Sequence, residues 1–156
     1  MCENQSIKEM NTMERNDLIM NQLKEENERR LKILRCVSLY LRNLGVPASL
    51  RGYRYLREAI AMKIEDNRQR YLTREVYPQI AQKYGTDASA VERSMRHAIE
   101  VSWSRADTEL VSKVFAYHLA RRRSKPANGE YISQVADYIL IFEDEFRSVS
   151  ENRKCM

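Results

Sequence analysis

The chain is poor in the residues that turn or break a backbone, with only 4 glycines and 3 prolines among 156 residues. All-β proteins need such residues at every hairpin, so this scarcity argues against strands and predicts a mostly helical chain. No apolar run approaches the roughly 20 residues of a membrane-spanning helix. The N-terminus, Met1–Gln5, lacks the basic and then apolar character of a signal peptide. We therefore expect a cytoplasmic protein with no membrane partner.

Residues for metal or nucleophile chemistry are equally scarce. The 3 cysteines are odd in number, far apart and never in a CxxC pair, which argues against a disulfide framework or a zinc site. There are 2 histidines, and His97 stands at i, i+3 to Glu100, but the sequence places no third group or nucleophile beside this pair. We expect no catalytic residue, no metal site, no cofactor and no enzyme activity.

Positive charge is concentrated in the middle of the chain. Residues 37–125 carry 17 Lys and Arg against 9 Asp and Glu, whereas residues 1–36 are neutral and 126–156 are acidic, so that the whole chain has a net charge of only +5. A polyanion would bind that middle region. The alternative is a surplus that merely keeps a helical protein in solution.

One long helix is predicted over residues 12–43, which contain no Gly or Pro and stop before Gly45 and Pro47. Eight of its residues and those just after it follow a heptad spacing: Met20, Leu23, Asn27, Arg30, Leu34, Val37, Leu41 and Leu44. The repeat is regular from Leu34 onward and interrupted before it, so two interpretations are possible. Either the helix pairs with that of a second copy, or its N-terminal half is frayed and solvated.

Apolar residues at helical spacing predict five further helices. We expect them after Gly52 to about Asp66, from Thr73 to 84, over about 87–104, around 110–119, and over 132–142. Thr73 is predicted to cap the second of these, with Pro78 near its first turns and Gly85 at its end. Residues 124–129 are predicted to form a loop, and strands have no clear place.

Ala81, Gly85 and Val91 are spaced like the small residue, turn glycine and buried aliphatic residue of a helix-turn-helix. In that motif the second helix enters the major groove of DNA. The face opposite its apolar stripe carries Ser89, Ala90, Glu92, Arg93, Arg96, His97 and Glu100. This face is either a solvated one with a Glu92–Arg96 ion pair, or a DNA-reading one on which arginine binds guanine O6 and N7.

On the second interpretation, Glu92 either accepts from cytosine N4 or orients an arginine. His97 and Arg105 lie farther along the helix and are predicted to contact phosphates. The same role is predicted for Lys83 on the supporting helix and for the Arg51/Arg54 pair.

Several stretches carry a more specific signal: Gly45–Ala48, Gly52–Ile60, Tyr77–Ala81, Val91–Arg105, Lys125–Asn128 and Val135–Asp137. Together they resemble the C-terminal DNA-binding domain of the master response regulator of endospore formation, over about residues 37–141. The resemblance implies an all-α, six-helix, winged-less helix-turn-helix domain, here with an extended N-terminal helix. It also implies a bacterial, sporulation-linked transcription regulator, nucleoid-associated when bound to a TGTCGAA-like box in double-stranded DNA.

Residue by residue, the resemblance puts Glu92 and Arg93 at base-reading positions, with Ser89 and Ala90 beside them. It puts Arg96 and His97 at positions that contact the DNA backbone. We also expect phosphate contacts from four other residues: Lys83, Thr86, Arg105 and Arg54. Ala90 departs from the pattern, because the family has an arginine there. One guanine contact worth roughly 1–3 kcal/mol of discrimination is then missing, and a weaker or altered sequence preference follows.

The front of the chain also departs from the family. The full-length regulator has a receiver domain of over a hundred residues, and 36 residues cannot contain one, so we expect no control by receiver phosphorylation. We predict that residues 1–36 form a helical extension for homodimerisation, 37–147 the DNA-binding domain, and 148–156 a disordered tail. The polymerase-facing segment of the family, here 106–118, matches only at Phe115 and Tyr117, which questions contact with RNA polymerase.

The function that the sequence favours is therefore that of a sequence-specific DNA-binding transcription regulator. The alternative is a protein-interaction module that pairs with, or antagonises, a full-length sporulation regulator through its N-terminal helix.

Overall fold

The structure is a computed structural model that describes residues 11–66, 71–121 and 124–143. Over these residues the chain is all-helical, as predicted, and holds no strand. The described elements are α1 Thr12–Asn43, α2 Arg51–Glu65, a π-helical turn Leu72–Val76, α3 Tyr77–Tyr84, α4 Ala88–Arg105, α5 Thr108–Val114, α6 Ala116–Arg121 and α7 Asn128–Phe142. The predicted tail, 148–156, lies outside the described residues.

The chain divides into two units, residues 1–32 and 33–156, and the division falls within α1. In the first unit the described side chains are largely exposed. Its large apolar residues with about half or more of their surface exposed are Met13, Ile19, Met20, Leu23 and Leu31.

The predicted end of α1 is confirmed. Gly45 has a φ of +80°, and the Val46 N–H donates to Leu41 O at 2.9 Å, which closes the last turn. A Cβ at Gly45 would also lie 3.1 Å from Ala106 N. A glycine is therefore favoured here by the backbone conformation and by the close approach of the end of α4.

In the regular half of the heptad repeat Leu34 is half-buried, and the three positions after it are buried inside the second unit. Val37, Leu41 and Leu44 are all fully buried in its core. These positions therefore stabilise the fold of one chain, and they are not free to form a seam with a second copy.

The second helix begins earlier than predicted, at Arg51, so Gly52 is helical rather than a boundary. A Cβ at Gly52 would lie 2.0 Å from Ser94 O and 2.7 Å from the Ala98 Cβ. The glycine is needed because α2 and α4 cross with their backbones almost in contact.

The predicted cap at Thr73 is wrong. Thr73 lies within the π-helical turn, and the Tyr77 N–H donates to Leu72 O, five residues back. Pro78 explains the wider turn, because its ring would clash with the carbonyl four residues earlier in a continuous α-helix and it has no N–H to donate. With the π turn before it, Pro78 sits in the first turn of α3, where it is tolerated.

Two other predicted boundaries are corrected. The single short helix expected around 110–119 is two helices, because the backbone departs from helical geometry at Phe115, with φ −106° and ψ 23°. The predicted loop ends sooner, since α7 begins at Asn128. The Glu130 carboxylate accepts the Ala127 N–H at 3.1 Å and so caps the start of α7.

The core of the second unit is arranged around α2, which packs against α3, α4 and α7. A buried polar contact fixes the far end of α4. There the Ser102 hydroxyl lies 2.6 Å from Leu44 O and 3.0 Å from the Tyr131 hydroxyl. Burial raises the pKa of the Tyr131 hydroxyl, which keeps this group neutral. This contact sets the position of the C-terminal end of α4.

Candidate nucleic-acid interface

A short turn joins α3 to α4, and Gly85 makes it possible. Gly85 has a φ of +64°, and the Gly85 and Thr86 N–H groups both donate to Ala81 O. The Asp87 carboxylate then accepts the Ala90 N–H at 2.8 Å and caps α4. The sequence predicted the turn glycine and the start of α4 here, and the structure confirms both.

Small and aliphatic side chains hold the two helices together across this turn. Ala81 is 6% exposed and Val91 is fully buried. Because Ala81 has only a methyl group, α4 can lie close against α3. The rest of the buried stripe of α4 is formed by Met95, Ala98, Ile99 and Ser102.

The opposite side of α4 is polar and faces solvent. The predicted site residues that are exposed there are Ser89, Arg93, Arg96 and His97, and Glu100 is exposed with them. Ala90 and Glu92 are half-buried beside this face. The structure thus places the predicted base-reading and backbone-contacting residues of α4 along one surface.

Glu92 and Arg96 form an ion pair one turn apart on α4. Of the two roles considered for Glu92, contact with an arginine is the one that the free protein adopts. Arg93 makes no ion pair among the described residues, and its guanidinium faces solvent.

Lys83 is held by a carboxylate that the sequence did not single out as a site. Its Nζ lies 2.7 Å from the Glu58 Oε1, and the Tyr84 hydroxyl donates to the same oxygen at 3.3 Å. Glu58 is only 2% exposed, whereas the Lys83 side chain is half exposed. This bridge ties the end of α3 to α2, so Lys83 has a structural contact whatever else it binds.

Further basic residues lie on the α2 side of α4. Arg51 and Arg54 are exposed at the start of α2, next to the Gly52 contact with Ser94. Arg105 is exposed at the end of α4, and Thr86 is half-buried in the turn. Arginines therefore stand along one flank of the polar face.

On the other flank of the polar face of α4, the structure shows two sets of contacts that the sequence did not predict. The Lys125 Nζ lies 2.5 Å from the Glu100 Oε1. Asn128 is buried, and its Nδ2 donates to the Tyr77 hydroxyl at 3.0 Å and to Glu92 O at 3.2 Å. Burial raises the pKa of the Tyr77 hydroxyl, although the bond from Asn128 opposes that shift.

Lys125–Asn128 carried part of the resemblance, and that was the only signal for these contacts in the sequence. Glu100 and Lys125 are 25 positions apart, and Tyr77 and Asn128 are 51 apart, so no local pattern could have paired them.

A comparison with protein families decides the identity of this unit. The family described as "Sporulation initiation factor Spo0A C terminal" matches residues 37–139, from the last part of α1 to α7. The chain belongs to this family. The Spo0A C-terminal family is a DNA-binding domain of a sporulation regulator and not a catalytic family.

The matched range includes the Gly85 turn and the whole polar face of α4. Among the described residues, no helix is both long and apolar enough to cross a membrane.

Proposed function

We propose that this chain binds double-stranded DNA sequence-specifically and regulates transcription, with α3, the turn Gly85–Asp87 and α4 acting as a helix-turn-helix. One observation carries the proposal: directly after the turn, α4 exposes Arg93, Arg96 and His97 on a single face. A helix of this kind fits the major groove, where arginine binds the edge of guanine. We propose a short TGTCGAA-like box as the site, which is the box that the resemblance implies.

In this proposal Arg93 and Glu92 read bases, and Ser89 and Ala90 lie beside them. Arg93 faces solvent without an ion pair among the described residues, so its binding to guanine breaks no existing contact. Arg96 shares its charge with Glu92 and is better suited to a phosphate.

The remaining phosphate contacts come from both sides of the turn. Lys83 and Thr86 precede α4, His97 and Arg105 lie farther along it, and Arg54 stands on the neighbouring helix. Such contacts set register and affinity, whereas the base contacts set specificity. A basic middle region flanked by neutral and acidic segments is consistent with this arrangement.

Selection of bound sites from a random DNA pool tests the proposal. We expect an enriched TGTCGAA-like box, and an affinity that falls by about 0.9 log unit per log unit of salt for each phosphate neutralised. Arg93→Ala should relax the preference at one base pair, by roughly 1–3 kcal/mol. Arg35→Ala, which removes an exposed charge from α1, is the matched control and should leave the preference unchanged. A pool without enrichment would contradict sequence-specific binding.

We propose that the chain acts as a homodimer through residues 12–32, the helical segment that precedes the second unit. Two copies would bring two α4 helices to two half-sites, which raises the affinity for paired boxes.

RNA polymerase is a further proposed partner. Of the two family-matching residues in the segment 106–118, Phe115 is fully buried and Tyr117 is 67% exposed. Of these two side chains, Tyr117 is therefore the one that is exposed for contact with another protein. Loss of activation, but not of DNA binding, in Tyr117→Ala would support this partner.

A second function remains: a module that pairs with, or antagonises, a full-length sporulation regulator. The exposed apolar side chains of residues 12–32, such as Met20 and Leu23, favour it. Co-purification with that regulator, together with equal binding to all DNA sequences, would support this function over the first. Failure to co-purify with that regulator, together with a strong box preference, would exclude it.

A further inference from the structure

The loop before α7 carries a lysine that reaches the polar face of α4. The Lys125 Nζ lies 2.5 Å from the Glu100 Oε1, and both side chains are more than a third exposed. Glu100 follows Arg93 by seven residues, which is two helical turns along the same face. The Lys125–Glu100 pair thus lies on the same face of α4 as Arg93, about two turns farther along the helix.

Glu100 is an ionised carboxylate in this environment. The hydrogen bond and the charge of Lys125 lower the pKa of the Glu100 carboxyl, and His97 and Arg96 lower it further. A carboxylate on this face repels the phosphates of an approaching duplex. In the free protein, Lys125 neutralises that charge.

The pair is not needed to hold the loop in place. The His118 Nε2 donates to Ser124 O at 2.6 Å, Pro126 is buried, and Asn128 is bonded to Tyr77 and Glu92. An exposed ion pair contributes little to stability. Lys125 can therefore exchange its carboxylate partner for another anion at small cost.

We propose that Lys125 is a DNA phosphate-binding residue, and that Glu100 competes with DNA for it. This inference rests on the proposed DNA binding, and it adds a second basic flank to α4, opposite the one that contains Arg54. When DNA binds, the Lys125 ammonium leaves the Glu100 carboxylate and binds a phosphate. The loss of the ion pair lowers the affinity for DNA, but it does not change which bases are read.

Fluorescence anisotropy on a box duplex and on a scrambled duplex tests the exchange. Lys125→Ala should weaken binding to both duplexes alike, by about five-fold near 0.15 M salt, with a salt slope smaller by about 0.9. Lys125→Arg should keep the affinity. Glu100→Gln should tighten binding to both duplexes by about two- to three-fold, because one repulsive charge is removed.

The matched controls are Lys113→Ala and Glu109→Gln, which alter an exposed Lys–Glu pair on α5. They should change affinity less than the corresponding substitutions on the Glu100 pair. Equal effects from both pairs would reduce the result to net charge and overturn the inference.

The double variant separates competition from a structural role. If Glu100 competes for Lys125, Lys125→Ala should cost more affinity in the Glu100→Gln background than in the native chain. A loss that disappears in that background means that the pair only braces the loop, and the inference is then wrong. If the native chain binds neither duplex, the proposed function itself fails, whereas unchanged binding by Lys125→Ala overturns only the inference.

Discussion

At the scale of single residues, the basic side chains proposed to contact DNA differ in what holds them. Lys83 is bonded to buried Glu58, Arg96 to Glu92, and Arg93 to no carboxylate among the described residues. A side chain that forms an ion pair within the protein is already oriented, but its charge is partly neutralised by the carboxylate. Substitution of these residues should therefore change DNA affinity and protein stability to different extents. In the proposed function Arg93 contacts only DNA, whereas Lys83 also has a structural contact with Glu58.

Ala90→Arg should introduce the guanine contact that the resemblance implies at this position. We expect tighter binding to a TGTCGAA duplex by roughly 1–3 kcal/mol, and a smaller gain on a scrambled duplex. Ala116→Arg adds the same charge on α6 and is the control, since it should affect both duplexes equally. Anisotropy titrations measure the difference, and equal gains on both duplexes by Ala90→Arg would show that position 90 does not read the box.

Lys83→Ala should destabilise the protein, because it removes one charged partner, the Lys83 ammonium, from the buried Glu58 carboxylate. The free energy of unfolding should fall by about 1–3 kcal/mol in urea denaturation. Lys113→Ala, which breaks an exposed pair, should cost less than about 0.5 kcal/mol. Under conditions where the variant is folded, its affinity should fall alike for box and scrambled duplexes. If both lysine variants unfold at the same urea concentration, the bridge to Glu58 does not stabilise the fold.

At the scale of elements, two departures from the expected boundaries have local causes that act across helices. Gly52 is helical because α2 must approach Ser94 on α4, and the π turn before α3 exists because Pro78 cannot continue an α-helix. The periodicity of apolar residues predicts where helices lie in the sequence, but it carries no information about the distance between two helix backbones. The contact at Gly52 therefore sets the distance between α4 and the arginines at the start of α2.

Gly52→Ala should separate α2 from α4, because its Cβ would lie 2.0 Å from Ser94 O, a backbone atom. Overpacking of this kind costs about 1–3 kcal/mol or more. That cost exceeds the roughly 0.5–1 kcal/mol that Ala gains over Gly inside a helix. Thermal unfolding should therefore show a loss of stability.

Gly129→Ala is the control for this substitution. Its Cβ would meet only the Leu72 Cδ1, at 3.1 Å, and that side chain can move. We expect its stability to be unchanged or slightly increased. A Gly52→Ala variant as stable as Gly129→Ala would contradict the close contact of α2 and α4.

At the scale of the whole molecule, the two parts of α1 that belong to different units differ in burial. In the second unit, Val37 and Leu41 belong to the core of one chain. In the first unit, Met20 and Leu23 are about half exposed, so apolar surface is available there for a second chain. Self-pairing along α1 is therefore proposed for residues 12–32, because Val37 and Leu41 are buried in the core of one chain.

A double substitution, Met20→Glu with Leu23→Glu, should convert a dimer to a monomer, because it puts like charges where the two copies would meet. Gln22→Glu adds a charge on another face of the same segment and should leave the dimer intact. Light scattering at micromolar concentration, free and on DNA with two boxes, measures both. A native chain that is monomeric in both states would rule out the dimer.

The sequence by itself determined the helical class, the end of α1 at Gly45, the turn at Gly85 and the polar face of α4. These features depend on residues that are neighbours in the chain, through helical periodicity and the left-handed conformation that glycine adopts. Only the tertiary structure decided that Val37 and Leu41 are core residues, that Gly52 is a crossing point, and that Glu58 holds Lys83. It alone brought Lys125 to Glu100 and Asn128 to Glu92, because those contacts join residues that the chain keeps far apart.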